Sequence, residues 1–156
     1  MPRGRRARLL VAVVGGVLAL LCLGGIGITF VLYDDATKID RGTPDQVVSS
    51  YLRAALVQRS DAQAQFYVCD GPSDLSSVGN LRREIAQREE GFGVTVSVSW
   101  GSLVRAQVEP GEERVRVHLT IAGSSAGQTK SRRSEGWEFR VVDQDGWRVC
   151  GATKVG

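Results

Sequence analysis

Residues 94–121, VTVSVSWGSLVRAQVEPGEERVRVHLTI, decide the fold, because here the apolar spacing becomes every second residue. Val94, Val96, Val98 and Trp100 alternate with Thr95, Ser97 and Ser99, and Val115, Val117, Leu119 and Ile121 alternate with Arg116, His118 and Thr120. A period of two buries one face and wets the other, as in an antiparallel sheet. Val104, Ala106 and Val108 are expected to keep the inward parity of the first run, with a bend or bulge at Gly101-Ser102. Residues 94–108 therefore read as one bent strand, ended by the turn at Pro110-Gly111.

Downstream, the glycine- and serine-rich segment 123–134 is expected to form a mobile loop. Trp137, Phe139 and Val141 line a third strand, Asp143-Gln144-Asp145-Gly146 turns the chain, and Trp147 and Val149 open a fourth. Upstream the period is helical. Thr43-Pro44-Asp45-Gln46 combines an N-cap threonine, a proline at the first helical position and a glutamine three residues after the cap. Val47, Val48, Tyr51, Leu52, Ala55 and Leu56 then make one apolar stripe. A short second helix is expected from Asp61 towards Tyr67, and a third from about Asp74 to Glu90 with Leu75, Val78, Leu81 and Ile85 inward. The expected architecture is α+β: three helices packed on a curved, four-stranded antiparallel sheet.

Ahead of this domain runs Leu9–Leu32, LLVAVVGGVLALLCLGGIGITFVL, 24 residues without a charge. As a helix it would extend roughly 36 Å, enough to cross a hydrocarbon core of about 30 Å. Residues 9–32 are therefore expected to be a transmembrane helix in contact with the lipid bilayer. Arg3, Arg5, Arg6 and Arg8 precede it and Asp34 and Asp35 follow. The positive-inside bias makes residues 1–8 a cytoplasmic basic tail, residues 33–42 a linker, and residues 43–156 an extracytoplasmic domain of a single-pass cell-membrane protein. A cleaved signal peptide would have a shorter apolar region ending at a small-x-small site. The nearest such site, Gly25-Ile26-Gly27, lies inside the run, so an uncleaved anchor is the better reading. Cys22 follows two leucines and lacks the small residue that a lipoprotein signal places before its cysteine.

Two cysteines remain, Cys69 and Cys150, and in an oxidising compartment they are expected to pair. Strict alternation sets Cys150 on the face opposite Trp147 and Val149. Either a bulge near Cys150 or a Cys69 at the sheet edge resolves the conflict.

Charge excludes one class of function. Four of the 20 Lys and Arg residues precede the apolar run, leaving 16 against 17 acidic residues beyond it. The domain is not basic overall, and nucleic-acid binding, which needs a continuous basic patch, is not expected. Two separated cysteines and one histidine are too few for a metal site, and no cofactor is expected. Nor does a phosphate-binding glycine loop or a His-Glu-x-x-His segment occur.

The order of helix, short helix near a cysteine, third helix and long strands, closing on Asp145-Gly146-Trp147-Arg148-Val149-Cys150, resembles the nuclear-transport-factor-two-like α+β cone superfamily over about residues 43–155. More narrowly, it is similar to single-pass proteins of high-GC Gram-positive bacteria, including those associated with mammalian-cell-entry lipid-transport systems. The resemblance implies a bent sheet wrapped over helices around a pocket. Tyr51, Tyr67, Trp100 and Trp137 are the candidate lining residues. The function read from these features is a non-catalytic accessory or interaction domain with an envelope protein as partner. The alternative is a cone holding a small apolar ligand. The superfamily also includes isomerases and dehydratases, which need a buried acid or base facing the cone. Here His118 falls on the polar parity beside Arg116, and no acidic residue occupies the inward strand positions named above, so no catalytic residue is assigned.

Overall fold

The computed structural model of the protein describes Ile39 and residues 41–156, and the expected membrane span at residues 9–32 lies outside the described residues. Among the described residues no helix is long and apolar enough to cross a membrane. Helix α1 (Pro44–Leu52) starts on proline, whose fixed φ suits the first turn. The Thr43 hydroxyl donates to Gln46 Oε1 at 2.8 Å and bonds no backbone amide, so the expected capping box is replaced by a side-chain pair. A π-helical turn, Arg53–Val57, extends α1 and keeps Ala54, Ala55 and Leu56 buried. Helix α2 (Asp61–Gln65) is capped by Ser60, whose Oγ accepts the Gln63 N–H at 3.3 Å. Helix α3 (Ser76–Phe92) buries Val78, Leu81 and Ile85 and stops where Gly93 takes a left-handed φ of 59°.

The sheet is antiparallel and curved, and has five strands where four were expected. They are β1 (Thr95–Trp100), β2 (Val104–Glu109), β3 (Glu112–Ser125), β4 (Gln128–Asp143) and β5 (Trp147–Val155). Their order is β1-β3-β4-β5, and β2 lies beyond β1 along the same side of β3, so five strands fill four lanes. Register explains the break. Trp100 pairs with Leu119 and Val104 with Arg116, four steps on one strand against three on the other. One extra residue reverses the parity, as a bulge does. Leu103 therefore packs on the core, whereas Val104, Ala106 and Val108, expected to point inward, are exposed.

The expected loop at 123–134 is also corrected. β3 and β4 continue through it to a two-residue hairpin, Ala126-Gly127, with φ of 50° and 74°. Two adjacent positive-φ residues match the right-handed twist of a tight hairpin. The inner face of the long β3–β4 pair carries Val115, Val117, Leu119, Ile121, Trp137, Phe139 and Val141, all buried beneath the helices.

Cys69 and Cys150 form a disulfide with Cα atoms 5.0 Å apart and a separation of 81 positions in sequence. Both ways of resolving the parity conflict hold at once. Val141 pairs with Val149 and Arg140 with Gly151, leaving Cys150 as the extra residue of a bulge. Residues 67–74 run parallel to the β5 edge, with Val68 bridging Val149 and Asp74 bridging Gly151.

Two stability measurements check this fold. Leu103→Ala is expected to cost about 1–2 kcal/mol and Val104→Ala less than about 0.5 kcal/mol by chemical denaturation; a larger loss at Val104 would contradict the reversed parity. Cys150→Ser is expected to lower stability by about 4–5 kcal/mol, the chain-entropy value for a loop of this length.

Candidate functional site

The four aromatic residues expected to line one pocket are placed differently. Tyr51 and Trp137 are both buried and meet through Phe139: Tyr51 packs edge-on at 6.3 Å and Trp137 stacks at 6.2 Å between ring centroids. Their ring atoms fill the space that the cone resemblance implied as a pocket. The Trp137 indole N–H finds no acceptor among the described residues, so packing alone sets the ring's position. Trp100, at the β1 edge, donates from Nε1 to Ser49 Oγ on α1 at 3.4 Å. Tyr67 lies beside β5, its carbonyl accepting the Val149 N–H at 2.8 Å. β1 and β5 are opposite edges of the sheet, so Trp100 and Tyr67 do not share a cavity.

An inward carboxylate escaped the sequence reading. Glu135 pairs with Leu119 and therefore faces the helices, with a side chain 8% exposed. Its Oε1 lies 2.8 Å from both Arg133 Nε and Lys154 Nζ. Arg133 also donates to Glu84 Oε1 at 2.6 Å, and Arg88 reaches the same oxygen at 3.0 Å. The Arg133 hydrogen bond holds the Glu84 carboxyl below the ordinary range, ahead of the opposing effect of burial. Each carboxylate is thus tied to two cations, an arrangement that fastens α3 to the sheet. The missed signal is plain in retrospect: parity counted backwards from Trp137 reaches Glu135 and Arg133.

Next to this network lies the most apolar recess among those described, about 300 Å³, lined by Arg88 and Phe92 of α3, Val94 and Val96, Ile121 and Gly123 of β3, and Lys130 and Ser131 of β4. It forms because β3 and β4 outrun α3. Phe92, on the last turn before Gly93, is 79% exposed, the most open large apolar side chain among the described residues. Glu89 fixes the recess wall: it accepts the Val96 N–H at 2.8 Å and a two-pronged bond from Arg59 at 2.7 and 2.9 Å. Arg59 holds a left-handed φ of 55°, and this fork offsets the strain. Arg88 and Lys130 set positive charge on the rim. Two further clefts, of about 470 and 340 Å³, are less apolar and lie on the outer sheet face by Asp74 and Arg140 and between α2 and α3 by Arg59 and Arg82. Among the described residues no group of three His, Cys, Asp or Glu side chains converges for a metal.

Burial pushes the Tyr51 hydroxyl up to about 12. The neutral phenol is the native form, so its contribution to stability is whole below the ordinary tyrosine value near 10 and is lost as pH rises through about 12. Phenolate absorbance of Tyr51 is expected to rise only with unfolding, and Tyr51→Phe to remove that alkaline limb. Ionisation of a folded Tyr51 near its ordinary value would contradict its burial.

The sequence matches no protein-family model and no curated protein. Solved structures do match in shape. Aln2 from a Streptomyces species superposes with a TM-score of 0.52 at 12% identity, over 74% of this chain and 93% of that one. An uncharacterised protein with a cystatin-like fold from Caulobacter vibrioides gives 0.50 at 13% identity, over 70% and 85%. An NTF2-like protein with a cystatin-like fold from Novosphingobium aromaticivorans gives 0.49 at 16% identity, over 85% and 88%. At such identities the likeness concerns architecture alone: the protein has a cystatin-like α+β fold.

Proposed function

We propose that the chain is a single-pass membrane protein whose extracytoplasmic domain works by binding an envelope protein, without turnover, through the recess at Phe92. The observation that carries this reading is the contrast between a core filled by Tyr51, Trp137 and Phe139 and an exposed Phe92 set among Val94, Val96 and Ile121. Burying one such aromatic ring in a partner is the kind of contact that dominates protein interfaces. Position agrees. Arg41, the first residue of the continuous described chain, accepts the Trp147 N–H at 3.0 Å and packs on Gly146, so the tether joins at the β4–β5 turn. The recess lies towards the other end of β3, where Ile121 and Gly123 stand nine and eleven residues beyond Glu112, or roughly 30–36 Å away. The same reading extends the likeness to anchored proteins associated with mammalian-cell-entry systems.

A second reading, a small apolar ligand in the recess, draws on its volume of about 300 Å³, the lower bound for ligand pockets. One experiment separates the two. A photo-crosslinking residue replaces Phe92 in cells that make the full chain, with a control at exposed Arg53. The interaction reading expects one discrete protein adduct from position 92 and none from 53. A small-molecule adduct at 92 would select the ligand, and identical patterns from both positions would reject either role for the recess.

A further inference from the structure

Two details of the recess at Phe92 concern its polar side. Its floor is open because Gly123 of β3 has no side chain: a Cβ there would come within 2.8 Å of Ser131 Oγ and 3.8 Å of Val94 Cγ2. Its β4 wall is set by a bulge. Gly123 pairs with Ser131 and Ser124 with Thr129, so Lys130 is the extra residue of β4. A bulge re-aims a side chain at the cost of a regular ladder, and this one leaves Lys130 lining the recess together with its neighbour Ser131. Lys130 Nζ donates to Gln128 Oε1 at 3.1 Å and meets no carboxylate among the described residues. No acidic residue lines the recess, and those around it are engaged or turned away. Glu84 holds Arg88 and Arg133, Glu135 holds Arg133 and Lys154, and Glu89 takes the Arg59 fork. Glu90, two residues from both Arg88 and Phe92, does not share their side of α3. The carbonyl end of α3 contributes about half a negative charge, less than the whole charge of Lys130.

We infer that the recess takes an acidic peptide segment of the partner protein, an inference that rests on the binding reading above. An apolar side chain of that segment enters among Phe92, Val94, Val96 and Ile121, and a carboxylate on the next residue meets the Lys130 ammonium and the Ser131 hydroxyl. Charge complementarity selects the acid: the cation that the bulge adds to the recess has no carboxylate of its own. Size selects the peptide. About 300 Å³ is at the small end for a free ligand, yet it holds one side chain whose neighbours stay outside, where exposed Lys130 and Ser131 stand. A bare apolar ligand would leave both polar groups unused.

The test uses the full chain in phosphatidylcholine nanodiscs, with para-fluorophenylalanine in place of Phe92 as a fluorine resonance inside the recess. Three probes are titrated: acetyl-Gly-Asp-Leu-Asp-Gly-amide, its counterpart with Asn for both Asp residues, and isocaproate, the free acid nearest in shape to a leucine side chain. The Asp peptide is expected to shift the resonance saturably and the Asn peptide to bind about three- to fivefold more weakly, the worth of one exposed ion pair. Lys130→Gln is expected to abolish that preference and Lys130→Arg to keep it; Lys130 is exposed, so neither change touches the core. Equal binding of the two peptides, or an Asp preference that survives Lys130→Gln, overturns the acidic assignment. Saturation by isocaproate without binding of the Asp peptide overturns the peptide and selects a free acid, and no response to any probe overturns the inference outright. The binding reading is judged apart, by the adducts formed from position 92 in cells: a discrete protein adduct there together with equal binding of both peptides leaves that reading standing while the acidic selection falls.

Discussion

The pairing of β3 with β4 is the constraint on which the molecule depends. These strands, 14 and 16 residues long, place one continuous apolar row on a single face, and that face must be covered or the hairpin would expose a slab of valine, leucine and aromatic surface. α1 and α3 supply the cover. They are shorter than the strands, and the mismatch in length creates both the dense core around Phe139 and the uncovered recess at Phe92. The site and the core thus have one origin.

Three small irregularities adapt this hairpin to its neighbours. The extra residue at Gly101–Leu103 divides the edge lane and turns Val104 outward beside the arginines of β3. The bulge at Cys150 rotates its sulfur towards residues 67–74, where the disulfide joins the helical layer to the last strand. The Arg59 and Glu89 fork fastens the end of α3 to β1. Each device acts at the rim of the sheet, where a strand meets a different kind of element, and each costs one irregular residue.

What the sequence disclosed and what it concealed follow from the range of the forces involved. Helix starts at Pro44 and Asp61 and the inward rows of β1, β3 and β4 depend on neighbouring residues, and they were legible. Leu103 and Val104 were read in the wrong phase because a one-residue slip is invisible until the partner strand is known. Glu135 was hidden because glycine and serine at 123–134 suggested a loop, whereas pairing between β3 and β4 overrode that local preference and carried the strand parity back to it. The recess was beyond reach for a similar reason: it exists only because a helix is shorter than the strands it covers. Of Tyr51, Tyr67, Trp100 and Trp137, expected to line one pocket, only the first and last meet, through Phe139, because topology sends the second and third to opposite edges.

The strip formed by residues 67–74 has an effect beyond tying down Cys69. Its backbone groups occupy those of β5 at Val149, Cys150 and Ala152, so this stretch of the sheet's border is closed by the chain itself. An outside strand finds no run of free amides and carbonyls there, and edge-to-edge contact between molecules is barred along that stretch.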